Sequence, residues 1–515
     1  MERGLRVPGI LSGACCALAC LPAAAGAQTP GLPPTPIPSD PLASAPSFEG
    51  ATAAARPIED IREPPPHPFM APNGRSNIHA DAYQTDSYRV SGPLGDGTEV
   101  SALFARECGS VTFDSQGRIV TVCVGLDRPV LALLHPTSLT VLAALDLPPR
   151  NTQSGSNPLT DFSGGGYFYL DHRDHAIVAT NDRRVLDVGI GAGPAFTVAR
   201  AYDLASAVGP REGIISVLPD WSGRLWFVTR GGLVGTIDRG SGAVHTVQLA
   251  GEGISNSFAV DETGGVFIVS DRALYRFDAG PGGEPLATWR RAYPNSGVHK
   301  PGQSDAGSGT TPTLMGRKWV TITDNADPMN IRVYRRGKRL RKTKRGRAPK
   351  RAVCAAPVFA RGASATDQSL IVAGGAIIAE NNYGYSGIAA VQLGATTQPG
   401  LARVDVRKAK KRKDGKKHGR RKLVCKRIWT SAERAPSVVP KLSLANGLVY
   451  TYTKPAGTGS EDPWYLTALD FRTGATVWRR LGGGGLAFNN NYAPVTLGPD
   501  GTAYVGALLG LVAFR

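Results

Sequence analysis

From about Tyr83 to its last residue the chain repeats one unit: a short apolar run, a turn of Asp and Gly, a β-rich run, a variable loop, and a second hairpin of the same kind. The first turns read VTFDSQGRIVTV (111–122), SVLPDWSGRLWFV (216–228), FAVDETGGVFIV (258–269) and VTLGPDGTAYVG (495–506). The second hairpins read LALLHPTSLTVLAAL (131–145), VGTIDRGSGAVHTVQL (234–249), LYRFDAGPGGEPLATW (274–289) and LTALDFRTGATVWRR (466–480). Asp and Gly adopt the turn conformations that β-branched neighbours disfavour, so each unit is predicted to be a four-stranded antiparallel sheet. Units start near Gly109, Gly165, Gly213, Ser255, Thr311, Asp367, Pro436 and Tyr492, eight in all, with seven the alternative count. The last unit has two clear strands, and the orphan strands between Tyr83 and Arg106 are placed to complete its sheet. Such sheets, repeated about an axis and closed by an N-terminal strand so that no edge is left bare, make an all-β propeller. With 63 Gly and 39 Pro the chain is unsuited to a mainly helical fold.

Within the seventh unit, Ala468-Leu469-Asp470-Phe471-Arg472-Thr473-Gly474-Ala475-Thr476-Val477-Trp478 resembles the Ala-x-Asp-x-x-Thr-Gly-x-x-x-Trp docking motif of pyrroloquinoline-quinone-type (PQQ-like) propellers. A degenerate copy from Gly235 to His245 keeps Asp238 and Gly242, and Asp278 and Trp289 frame a looser one. The resemblance covers roughly residues 100–515 as architecture. It implies a structural role for the motif, with Asp and Gly shaping the hairpin turn and the indole packing between blades. The quinone-dependent alcohol dehydrogenases of that superfamily place a vicinal disulfide over the cofactor and hold calcium with Glu, Asn and Asp. Here the only adjacent cysteines, Cys15 and Cys16, lie in the export signal described next, and no Cys-x-x-Cys-His haem string occurs, so PQQ is not an expected cofactor. Other members of the superfamily are assembly scaffolds that bind protein partners.

The N-terminus reads as an export signal: Arg3 and Arg6, an apolar stretch from Val7 to Leu21, and the small-residue site Ala25-Gly26-Ala27, with cleavage expected near Ala27. None of Cys15, Cys16 and Cys20 has the Leu three residues earlier that lipidation requires. Residues 28–77 are Pro/Ala-rich without apolar periodicity and read as an extended tether whose end is able to dock on the propeller of residues 78–515. No other run reaches the ~18 apolar residues of a membrane helix. The expectation is a secreted or envelope-associated monomer. Removal of the signal leaves Cys108, Cys123, Cys354 and Cys425, which allow three connectivities or four free thiols. Cys108 and Cys123 flank one turn, and Cys354 and Cys425 each follow a basic run, which favours those two pairs.

The formal charge of +18 is concentrated in residues 335–351, with 11 Lys/Arg, and 407–427, with 13 against the single Asp414, so everything else is mildly acidic. Both runs interrupt hairpins, of units five and six. They lack interleaved aromatics, which argues against specific nucleic-acid readout and leaves anionic envelope polymer or lipid headgroups, or a solvated insertion without a dedicated partner.

In a propeller the loops joining second to third strands, and fourth strands to the next blade, share one face around the channel. There the chain offers Thr323-Asp324-Asn325-Ala326-Asp327, Glu380-Asn381-Asn382-Tyr383, Asn489-Asn490-Asn491-Tyr492 and Asn181-Asp182-Arg183. Carboxylate and amide oxygens suit a hard cation such as calcium, although Asn, Asp and Gly also populate turns for conformational reasons alone. Asp324, Glu380 and Asn381 are the candidate metal ligands and Asp327 the candidate general base. Tyr383, Asn382, Asn489, Asn490 and Asn491 are the candidate substrate contacts. His172 and His175 read as a solvated turn on the opposite face, His299 and Lys300 lie in the long loop before unit five, and His67 and His79 act only if the tether folds back. Gly-x-Ser-x-Gly, phosphate-loop and His-Glu-x-x-His motifs are absent from the sequence. Two functions remain open: an exported propeller binding a protein, glycan or envelope ligand, and a calcium-assisted enzyme, either a quinone-type oxidoreductase or a lactonase-like hydrolase.

Overall fold

The computed structural model describes residues 35–36, 42, 45–154, 157, 159–340, 350–409 and 422–515. The export signal expected at 1–27 lies outside them, as does the greater part of each basic run. Among the described residues the strands form eight sheets and no α-helix occurs. Each sheet is an antiparallel four-stranded blade, extended in two cases by N-terminal strands. The first strands of blades 1 to 7 are Glu107–Phe113, Tyr169–Leu170, Ile214–Pro219, Ala259–Val260, Thr313–Met315, Ile371–Ala373 and Lys441–Ser443, each beginning a few residues from the unit start read in the sequence.

The turns form for the reason the repeat suggests. Asp114 Oδ1 accepts the N–H groups of Gln116 (3.0 Å) and Arg118 (2.9 Å), and Asp220 and Asp261 repeat the pattern at Ser222 (2.8 Å) and Thr263 (2.9 Å). In the second hairpin of blade 7, Asp470 Oδ1 accepts the N–H groups of Arg472 (2.9 Å) and Thr473 (2.8 Å), and Gly474 takes φ +75°. A Cβ on Gly474 would lie 2.5 Å from the ring of Trp429, in the outermost strand of blade 6. That strand therefore docks on the motif turn, with Trp429 Nε1 donating to the Phe471 carbonyl (2.9 Å). Trp478 of the motif is also buried, against Tyr450 of its own blade.

First and second strands are buried on both faces because each blade is covered by its neighbours; Leu225–Thr229 and Leu448–Thr453 are buried throughout. Outermost strands such as Val244–Gln248 alternate between exposed and half-buried positions. Blade 8 consists of Val495–Leu497, Ala503–Ala507 and Gly510–Phe514, completed by Val100–Phe104, which pairs antiparallel with Gly510–Phe514 in register Val512↔Ala102. The N-terminal closure expected from the sequence is thus present, one C-terminal strand having been missed. Its signal, Gly510 to Phe514, is short and offers no turn residue other than Gly510.

Residues 48–99 lie on the blades. Phe48–Gly50 pairs with the outermost strand of blade 7, at Phe48↔Arg480. The chain then crosses the face that carries the hairpin turns: Ile58 N–H donates to Leu444 O (2.8 Å), the His67 ring meets Trp221 (centroids 4.1 Å apart) and Ala71 N–H donates to Leu170 O (2.9 Å). Residues 76–88 turn into the channel and hydrogen-bond to the first strands in succession. Ser76 O accepts from Leu170, Ala82 O from Val260, Tyr83 O from Leu314, Thr85 O from Val372 and Asp86 O from Leu442. Ser87–Tyr88 finally pairs parallel to Lys441–Ser443. The Pro/Ala-rich stretch is held by backbone hydrogen bonds to strands and by scattered apolar side chains, Phe48, Ile58, Ile61, Met70 and Ala71 among them, that pack on the blade cores without any periodic face.

Candidate functional site

Residues 76–88 give the channel a floor made of polar side chains. Asp86 sits at its centre, receiving a hydrogen bond from Lys441 Nζ and lying 3.1 Å from His79 Nδ1. Lys441 Nζ also donates to Ile78 O (2.6 Å), and Lys441 and Asp86 are both 0% exposed. Burial holds His79 below the ordinary imidazole range despite Asp86, so its ring is neutral, with Nε2 facing the hydroxyls of Ser369 (3.3 Å) and Thr311 (3.4 Å). Asp81 accepts from the N–H groups of Tyr83 (2.8 Å) and Thr85 (3.3 Å) and from the Thr85 hydroxyl, and burial nevertheless pushes it up to about 7.

Above this floor the channel retains a cavity of about 60 Å³, with Ile78 and His79 beneath and Tyr167, Asn256 and Tyr492 around it. Three carboxyls line it, those of Glu107, Asp161 and Asp367. Asp367 Oδ2 accepts Ser304 N–H (3.1 Å), while Oδ1 is shielded from solvent and has no hydrogen-bond partner among the described residues. Burial pushes Asp367 up to about 7 and Glu107 up to about 8, the latter despite a hydrogen bond from Asn491 Nδ2 (3.3 Å). Glu107, mostly protonated at neutral pH, and Asp367, near its midpoint there, are able to donate and accept a proton in one cavity.

The residues singled out from the sequence fall into separate networks. Asp324 is buried in the turn of blade 5, accepting from Asn330 N–H (2.8 Å) and paired with Arg332 (3.2 Å). Asp327 is exposed and accepts Gly362 N–H (2.7 Å). Glu380 is buried with Asn382 Nδ2 (2.9 Å) and Thr451 Oγ1 (3.2 Å), and burial raises it well above the carboxylate range. Asn381 binds backbone, through Ala363 O (3.0 Å) and Pro399 O (3.1 Å), and Tyr383 is half-buried beside it. Asn489 and Asn491 are joined by Tyr385, whose hydroxyl donates to their side-chain oxygens (3.1 and 3.0 Å), and Asn490 is fixed by Ser437 (3.3 Å). Of the set, Asn491 lines the cavity. His79, Asp81, Asp86, Glu107, Asp367 and Lys441 did not stand out as a group in the sequence. The one local cue was a run of polar residues, SNIHADAYQTDSY, at the end of a Pro/Ala-rich stretch.

A calcium-binding set of Asp324, Glu380 and Asn381 would have to be drawn from these separate networks, and among the described residues no group of three or more His, Cys, Asp and Glu side chains gathers around one point. A quinone ring system does not fit the channel either, since a cavity of about 60 Å³ is far below the roughly 300 Å³ of a small-molecule pocket.

Both disulfides favoured from the sequence are formed. Cys108–Cys123 links the first two strands of blade 1, and Cys354–Cys425 links the outermost strands of blades 5 and 6, with Cα atoms 5.5 Å apart. The second bridge sets the bases of the two basic hairpins side by side. Two arginines of the first run are structural: Arg336 is 2% exposed, bound to Asp261 (3.1 Å) and Glu262 (2.8 Å), and Arg351 lies over the Trp289 ring (4.3 Å). Lys338, Arg339, Lys350, Arg407, Lys408, Lys422, Lys426 and Arg427 are exposed along the same rim.

No family model matches the chain. An uncharacterised protein of Archaeoglobus fulgidus is 29% identical over 320 residues, 58% of this chain and 60% of that protein, so the chain spans less than two thirds of its relative's length. A europium-containing methanol dehydrogenase superposes with a TM-score of 0.50 over 85% of this chain and 97% of its own, at 10% identity. A streptogramin B lyase superposes with a TM-score of 0.38 over 81% and 97%, at 9% identity. At these identities the likeness to the dehydrogenase is one of fold. The chain is an eight-bladed β-propeller, the fold it shares with that dehydrogenase. No helix among the described residues is long and apolar enough to cross a membrane.

Proposed function

We propose that the protein is an exported, non-catalytic binding propeller that holds an extended polyanion of the cell envelope against the rim of blades 5 and 6. The observation that carries this reading is the Cys354–Cys425 bridge, which joins the two strands from which the basic runs depart, so that the described ends of both runs lie side by side on one rim. A fixed pair of hairpins presents more charge to one polymer than two independent loops, and displacement of counterions from the polymer supplies the driving force. Two disulfides suit the oxidising compartment that export implies. The channel supports the same reading, because its floor is the protein's own chain and its central charges, Lys441 and Asp86, are spent on each other. The test is retention on immobilised heparin, with neutral dextran as control, for the native protein and for a variant with Lys338, Arg339, Lys422, Lys426 and Arg427 changed to Glu. Retention that falls steeply with salt and is lost in the variant supports the proposal; equal retention of both proteins refutes it.

A second reading, acid–base catalysis at the channel mouth with or without calcium, is favoured by Asp367 Oδ1, unpartnered among the described residues, beside Glu107 in one cavity. Elemental analysis and an absorbance scan of protein from its exporting host, with Asp324→Ala/Glu380→Ala and Asp367→Asn variants, separate the two. Stoichiometric calcium lost in the double variant, or a quinone chromophore, would replace the binding reading with the enzymatic one.

A further inference from the structure

The face crossed by the N-terminal segment holds a cleft of about 380 Å³ between blades 2 and 3, remote from the channel mouth and from the basic rim. Three arginines from three turns line it: Arg173 from the first turn of blade 2, Arg224 from the first turn of blade 3, and Arg239 from the second hairpin of blade 3. Two of them are fixed from behind. Arg173 is held by Asp171 (3.0 Å), and Arg239 by Asp187 (2.9 Å) and Asp171 (3.3 Å), both carboxylates being buried. Arg239 uses one terminal nitrogen for these contacts, which leaves its other N–H groups directed elsewhere. The turn that bears it is further fixed by Arg200, which donates to the carbonyls of Arg239 and Gly240.

Arg224 differs from the other two. Among the described residues its guanidinium makes no side-chain hydrogen bond or ion pair. Asp238 also lines the cleft: its Oδ1 accepts from Ser241 N–H (2.8 Å) and Gly240 N–H (3.1 Å), and its charge acts on that of Arg224 without a direct ion pair. Phe69 and His172 supply an aromatic wall, their rings 5.9 Å apart and nearly perpendicular. Phe69 lies on Gly223 so closely that a Cβ there would stand 3.0 Å from the ring, and Gly223 has φ +88°. The cleft thus joins an immobilised aromatic ring to preset guanidinium forks, in a volume typical of small-ligand pockets.

We infer that this cleft binds a ring-bearing anion, its carboxylate or phosphate taken by Arg224 with Arg173 and Arg239 and its ring laid against Phe69. Planar guanidinium groups match carboxylate and phosphate oxygens two at a time, and an under-used, half-buried one gains most from such a partner. The inference is independent of the polyanion reading, since it uses no residue of blades 5 and 6.

Isothermal titration of the native protein with glucuronate, glucose 6-phosphate and glucose tests it. Heat of binding with either anion, none with the neutral sugar, and a loss of about tenfold or more in affinity in Arg224→Gln is the expected result. Phe69→Ala should weaken both anions alike. The preferred anion identifies the head group. The Arg224 guanidinium makes no hydrogen bond or ion pair among the described residues, and a melting temperature of Arg224→Gln equal to the native one shows that the fold is intact. No heat with either anion, or equal affinity in Arg224→Gln, would overturn the inference.

Discussion

Lys441 and Asp86 are withdrawn from water together, and each is tolerable only because the other is there. Lys441→Met, which leaves the Asp86 carboxylate without its cation, should destabilise the protein by about 3–5 kcal/mol in urea unfolding, and Asp86→Asn on that background should recover part of the loss. Asp81 carries a separate pH signature. Its folded pKa is raised to about 7 by burial, against an ordinary value of 3.8. Its contribution to stability is therefore complete below the unfolded value and is lost as pH rises through about 7. Asp81→Asn mimics the neutral acid, so its urea midpoint should fall less than that of the native protein between pH 5 and pH 8, and the two proteins should be closest at pH 5. Neither residue was legible as central. Asp86 meets its partner 355 positions away and Tyr83 meets Glu262 179 positions away, so no local spacing announces either contact. Asp324 shows the converse: its neighbourhood reads like a cation ligand, yet Asn330 and Arg332, six and eight residues on, take its oxygens.

Strands and turns were far more legible than the site. Asp and Gly at fixed offsets dictate hairpins by themselves, which is why blade starts and the Cys108–Cys123 pair were readable without tertiary information, whereas Cys354–Cys425 was favoured only because each follows a basic run. The between-blade contact of Trp429 with Gly474 was not, because nothing in an outermost strand distinguishes an indole aimed at a neighbouring blade from one on its own sheet. At this scale the bridges differ in what they constrain. Cys108–Cys123 closes a separation of 15 residues, Cys354–Cys425 one of 71, and in the chain-entropy account their removal costs roughly 3 and 4 kcal/mol. Denaturant titration of Cys354→Ser/Cys425→Ser should therefore show the larger loss. The same double variant should elute from heparin at lower salt than the native protein, since its two hairpins no longer act as one surface.

At the scale of the whole molecule, residues 48–88 and 100–104 serve different ends. The first stretch covers one face and floors the channel, and the second closes the ring. A shortened variant whose mature chain begins at residue 90 keeps all the strands of blade 8, and should fold with a lower melting temperature and faster amide exchange in the first strands of blades 2, 4, 5, 6 and 7. One beginning at residue 106 lacks the closing strand and should not fold. Ring closure also imposes an order on assembly. Strand Val100–Phe104 pairs on one edge with Thr35–Pro36, but its other edge waits for Gly510–Phe514, so blade 8 forms only when the far end of the chain reaches the near one. Until then the polar residues 76–88 lack the full circle of first strands that buries them. A chain with so distant a pairing matures slowly. On the export proposed above, a ring that stays open until its last strand is made suits a chain crossing a membrane unfolded, with its two crosslinks and its latch completed afterwards.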